Sequence, residues 1–96
     1  MKGYWVITGT IHTPLGMVPY LSALINWLPT VGGSFLVRDT DCDVREGNPG
    51  AVTVIIEFES RAAAAAAYES SEYQEMNKIR LNSSELTLAI TEQLVG

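Results

Sequence analysis

Apolar and mixed positions alternate along residues 4–12, YWVITGTIH, with Trp5, Ile7, Gly9 and Ile11 on one face and Tyr4, Val6, Thr8, Thr10 and His12 on the other. A period of two in an aromatic and β-branched stretch predicts a strand. The first set suits packing beneath helices, and the second must face something partly polar. The period then lengthens. Thr13-Pro14 opens a helical region, since Thr can cap and Pro is tolerated in a first turn. Pro19 would lose a hydrogen bond deep inside a helix, which predicts that the regular part starts later. From Met17 the apolar residues Met17, Tyr20, Leu21, Leu24, Ile25 and Leu28 follow the i, i+3, i+4, i+7, i+8 stripe of an amphipathic helix. Pro29 and Gly32-Gly33 end it.

Ser34–Asp39, SFLVRD, reads as a second strand, and Cys42–Glu46 as a short third one reached through the Asp39-Thr40-Asp41 corner. Gly47-Asn48-Pro49-Gly50 is a turn. Ala51–Phe58, AVTVIIEF, is the most apolar strand and therefore central. Ser60 caps a helix RAAAAAAYE, and Ser71 with Gln74 forms a capping-box pattern opening another turn or two, SEYQEMNKI. Leu86–Glu92, LTLAITE, closes the series as a strand. The order β-α-β-(short β)-β-α-β predicts an α+β, ferredoxin-like antiparallel sheet with both helices on one face. The other face is left bare while carrying Val6 and Ile55, too apolar to rest in water. Two copies stacking these faces would cover them and enclose a space.

Composition narrows this picture. Ninety-six residues make one domain. A chain of that size buries only about 60–65% of its unfolded surface, so its core is thin and a partner surface helps it. Apolar residues are 47% and charged residues 18%, which is globular. The formal charge of −5, with no basic run, repels phosphates and argues against nucleic acid as a partner. The early apolar stretch is broken by Thr8, Thr10 and His12, unlike a signal peptide, and no apolar run suffices to span a membrane. A single cysteine fits a reducing compartment, so the expected location is cytoplasmic.

The acidic stretch Arg38–Gly47, RDTDCDVREG, invites a metal reading. A calcium loop of the helix–loop–helix type needs oxygen ligands at positions 1, 3 and 5, Gly at 6 and Glu at 12. Counting from Asp39 the first three fit, but position 6 is Val44 and position 12 is Gly50. The alternation aligns Arg45 with Asp41 and Asp43, which reads as the charged face of an edge hairpin; no metal site is expected. The six alanines Ala62–Ala67 are the best helix formers, and their small side chains let a helix lie close to a sheet.

Several phrases carry a resemblance beyond pattern: Tyr4-Trp5-Val6, Pro19-Tyr20, Gly32-Gly33 before Phe35-Leu36-Val37-Arg38, Arg45-Glu46-Gly47-Asn48, Phe58-Glu59-Ser60, and Ser71-Glu72-Tyr73-Gln74 followed by Arg80. Together these resemble a bacterial domain-of-unknown-function family of about this length within the dimeric α+β barrel superfamily. The likeness covers nearly the whole chain. It departs at the end, where the family's Val-Glu-Gly type sequence is replaced by Gln93-Leu94-Val95 after Glu92. The resemblance implies a homodimer with a cavity between sheet and helices. It supplies no activity, because the superfamily holds cofactor-free monooxygenases, a muconolactone isomerase, polyketide cyclases, haem-degrading enzymes and ligand-sensing domains, and fold alone does not choose.

The candidate chemistry is sparse. His12, the only histidine, ends the first strand and is a candidate general acid or base; the alternative is a strand-end histidine bonded to backbone. The second helical region has no histidine to bind haem iron, and no cofactor is expected. Arg38, alternating with Leu36 and Ser34, sits among apolar neighbours and needs an anion, with Glu57 as its candidate internal partner. Tyr73 and Arg80 offer a phenol and a guanidinium to an acidic ligand, whereas Tyr20 and Tyr68 read as core. Cys42 has no basic neighbour before Arg45 to activate it. The sequence thus predicts a homodimer with a pocket for a small anionic organic molecule. His12, Arg38 and Glu57 are the catalytic candidates if it is a cofactor-independent isomerase or monooxygenase, and Tyr73 and Arg80 the ligand-binding ones. The alternative is a non-catalytic small-molecule-binding or assembly module.

Overall fold

The computed structural model describes residues 1–95, and its organising strand is β1 (Gly3–Ile11). Trp5 and Ile7 on this strand are almost fully buried, as the alternation predicts. β1 pairs antiparallel with β3 (Val52–Phe58) on one side and β4 (Ser84–Glu92) on the other. β2 (Ser34–Asp39) lies outside β3, so the sheet order is β2-β3-β1-β4. The helices pack on one face of this antiparallel sheet, which is the expected ferredoxin-like α+β arrangement.

The first helix, α1, runs Pro14–Trp27 and continues into a 3-10 turn over Leu28–Val31, closed by Gly32 at φ 71°. It therefore begins at Pro14 and contains Pro19, contrary to the later start predicted. Pro19 lies one turn in, and its missing N–H frees only the carbonyl of Leu15, a residue 84% exposed and open to water. Met17, Tyr20, Leu24 and Leu28 are buried, while Ile25 drops out of the predicted stripe to face solvent. The second helix, α2 (Arg61–Glu69), is capped by the Ser60 hydroxyl, which accepts from the Ala63 N–H. Its alanines bring the backbone within reach of the sheet, where the Trp5 indole N–H donates to the Ala64 carbonyl at 2.8 Å. In α3 (Ser71–Arg80) the cap is Ser70, one residue before the predicted Ser71, and its hydroxyl accepts from the Tyr73 N–H. Gln74, assigned to a capping box from the sequence, instead donates to the Tyr68 carbonyl at 2.6 Å.

The predicted short strand Cys42–Glu46 is absent, and the sheet has four strands. The segment's own bonds hold it as a loop. Asp39 Oδ1 accepts from the Asp41 N–H, the Val44 N–H donates to the Cys42 carbonyl, and a Cys42 N–H to Ala51 carbonyl bond ties its backbone to the start of β3. Arg45 makes a bidentate pair with Asp43 at 3.0 and 2.9 Å, the intrinsic counter-charge expected of this stretch, though on a loop instead of an edge hairpin. Beyond it, Gly50 at φ 85° tucks its Cα against the Gly9 carbonyl, where any Cβ would collide.

A bulge between Phe35 and Val37 breaks the β2 alternation. Phe35 pairs with Ile56 and Arg38 with Val54, both partners lying on the helix side, while Val37 pairs with Ile55 on the open side. The open face consequently has a readable cross-strand pattern. Val37, Ile55, Val6 and Ala89 are successive neighbours across all four strands and form one apolar row. Ser34, Glu57, Tyr4 and Thr91 form a more polar row beside it, and Thr53, Thr8 and Thr87 another on the far side. No helix of the described residues is long and apolar enough to cross a membrane.

Candidate functional site

The geometry of a site starts with the space between α1 and the sheet. A cavity of about 310 Å³ opens there, walled by Ile7, Val52, Val54 and Leu86 from the sheet and by Met17, Leu21 and Leu24 from the helix. Its polar groups are few: Tyr20 on α1, and Arg38 and Thr40 at the β2 end. A mostly apolar concavity with a few convergent polar groups is the usual form of a small-molecule site.

Arg38 reaches this lip because of the β2 bulge, which turns it to the same side as Phe35. Its guanidinium carbon stands 5.5 Å from the Phe35 ring centroid. Strict alternation would have sent it to the other face. The ion pairs of the described residues join His12 with Glu85, Arg45 with Asp43 and Lys78 with Glu75, and none involves Arg38. Glu57, its candidate partner, lies on the open face, in register with Tyr4. There, partial burial and then the charge and hydrogen bond of Glu57 raise the Tyr4 phenol above its ordinary value.

Tyr20, which sequence reasoning assigned to the core, is both core and cavity wall. Its hydroxyl shares a 2.7 Å hydrogen bond with the hydroxyl of Tyr73, a side chain with no exposed surface. Arg80 is 7% exposed at the end of α3, with its guanidinium carbon 5.8 Å from the Tyr20 ring centroid. Burial most of all, then Tyr73, push the Tyr20 phenol well above the usual tyrosine range, and Arg80 only partly offsets this. Tyr20 is therefore a neutral hydrogen-bonding group. Tyr73 and Arg80 stand behind the cavity wall, holding Tyr20 from α3.

His12 stands outside the cavity. It is half exposed, with Nε2 3.5 Å from Glu85 Oε2 at the end of the sheet. The Cys42 thiol donates to Thr53 Oγ1 at 3.2 Å. Among the described residues no group of three or more His, Cys, Asp or Glu side chains could hold a metal ion. The site thus brings together Arg38, Tyr20 and Thr40, and separates them from His12 and Glu57. Sequence reasoning missed the turn of Arg38 toward the cavity, because the bulge that causes it is set by the register of β2 against β3 and leaves almost no local signature.

Comparison with known structures agrees with this architecture. A dimeric ferredoxin-like protein of unknown function from Jannaschia sp. CCS1 superposes with a TM-score of 0.75 at 13% identity, over 97% of this chain and 100% of that one. A protein of unknown function from Rhodopseudomonas palustris gives 0.74 at 14% identity, over 99% and 84%. SnoaB, a cofactor-independent oxygenase from Streptomyces nogalater, gives 0.66 at 13% identity, over 99% and 95%. At these identities the likeness is one of fold. No curated protein matches the chain in sequence. Residues 2–94 match the family described as Domain of unknown function (DUF1330), and the chain belongs to that family, with a ferredoxin-like fold.

Proposed function

We propose that this protein is a homodimer, joined through its open sheet face, that holds a small organic anion in the cavity between α1 and the sheet. One observation carries the ligand reading: Arg38, without a carboxylate partner among the described residues, stands at the lip of an apolar cavity that no acidic side chain lines. A guanidinium in that position favours a carboxylate or another compact anion. Tyr20, neutral and oriented by Tyr73 and Arg80, offers a second polar contact at the cavity wall. The dimer reading rests on the row Val37–Ile55–Val6–Ala89, and the Jannaschia relative is described as dimeric. His12 and Glu57 then flank the interface and do not touch the ligand.

The enzymatic reading, a cofactor-independent isomerase or monooxygenase, draws on the fold likeness to SnoaB. It requires a group to accept a proton from the substrate, and the cavity is lined by neither histidine nor carboxylate. The geometry favours binding. Calorimetric titration with benzoate and hexanoate, against the uncharged benzamide, tests it. The carboxylates should bind and the amide should bind at least about tenfold more weakly, as loss of a charge-assisted hydrogen bond implies. Equal affinities would sink the role of Arg38. Conversion of a bound acid to product would sink the passive reading.

A further inference from the structure

We infer that the ligand of this cavity is an acid with an extended, unbranched apolar chain, and not a single-ring or fused-ring acid. This rests on the anion-binding reading above and adds the shape of the ligand. A second apolar cavity, of about 370 Å³, lies under the N-terminal half of α1 and reaches Pro14 and Ala51. It adjoins the first, because Ile11, Met17, Leu21, Thr40 and Val52 line both. Arg38 is the one basic side chain among the lining residues of the two, and neither is lined by an acid.

Along α1 the combined groove extends from Leu24 to Pro14, ten residues of helix and therefore about 15 Å. A single ring anchored on Arg38 would occupy the first lobe and leave the second to water against apolar walls. The lobes meet where Met17 and Leu21 project from α1. These unbranched or flexible side chains can part around a thin chain more readily than around a rigid slab. Charge confined to the first lobe, apolar walls along the length and a two-lobed outline together describe a medium-length aliphatic acid.

The test is calorimetry on the intact protein with hexanoate, octanoate and decanoate, each kept below its aggregation concentration, and with 2-naphthoate as a rigid acid of similar carbon number. Burial of each added methylene should tighten binding about fourfold, so decanoate should exceed hexanoate by roughly 250-fold. Ala51→Phe, which fills the far lobe from an exposed backbone position, should reduce that ratio to below about tenfold. Hexanoate binding that depends on Arg38, with no gain for longer chains, would overturn the chain-length inference and leave the anion reading intact. So would tighter binding of 2-naphthoate than of decanoate, or a decanoate advantage that survives Ala51→Phe. Failure of all the acids to bind would overturn both.

Discussion

Ile55→Asp should abolish the dimer while leaving the protomer folded. Ile55 occupies the middle of the apolar row on the open face, between Val37 and Val6, and is only half-buried in the single chain. An aspartate there can still reach water in the protomer, so the cost to folding is limited to packing and strand propensity, about 1 kcal/mol. In a face-to-face dimer the same carboxylate is trapped without a partner, which costs about 3–5 kcal/mol. A two-fold interface contains the substitution twice, giving about 6–10 kcal/mol and a dissociation constant raised by roughly four to seven powers of ten. Sedimentation equilibrium at micromolar protein should find dimer for the parent and monomer for the variant, with unchanged far-ultraviolet circular dichroism. Leu15→Asp, on the exposed outer side of α1, serves as the control and should leave association unaltered. A folded Ile55→Asp protein that remains dimeric would refute assembly through this face.

Arg38→Met should weaken carboxylate binding about tenfold to a hundredfold while shifting unfolding free energy by less than about 0.5 kcal/mol, since no ion pair of the described residues is lost; titration calorimetry and urea denaturation read the two effects separately. Trp5→Phe removes the indole bond to the Ala64 carbonyl and opens space beside Trp27, Phe58 and Tyr73, and should cost about 2–4 kcal/mol in the same denaturation assay. The raised Tyr20 phenol keeps its proton in the folded protein at pH values where the unfolded chain has released it. Its contribution is therefore complete below about pH 10 and is lost as pH rises beyond that, by up to about 1.4 kcal/mol per pH unit. Tyr20→Phe should make the alkaline limb of the stability profile shallower by one proton, and an unchanged slope would contradict the assignment.

The parts of the fold legible in sequence were those where one local signal acts alone. Alternation placed Trp5 and Ile7 inward and Val6 and Ile55 on the helix-free face, and the Ser60 cap and alanine run placed α2. Competing local signals were harder to rank. Pro19 weighed against a helix that needed only a hydrated turn to accommodate it. The Asp41–Asp43–Arg45 alternation mimicked a strand, although short-range bonds from Asp39 and Arg45 satisfy those groups within a loop. The site depended on a feature with almost no local signature. One extra residue in β2 moved Arg38 to the helix side and away from Glu57, which follows from the register of two strands and not from residue identity. Likewise the pairing of Tyr20 with Tyr73 joins positions far apart in the chain, so neither helix alone reveals it.

The most direct test of the anion-binding account is a crystal structure of the protein purified from its native host, inspected for density in the cavity beneath α1. The account predicts an organic acid with its carboxylate about 3 Å from the Arg38 guanidinium and its apolar body against Met17, Leu21 and Val54. A cavity closed by its own side chains, with Arg38 paired to a carboxylate of the protein, would contradict it.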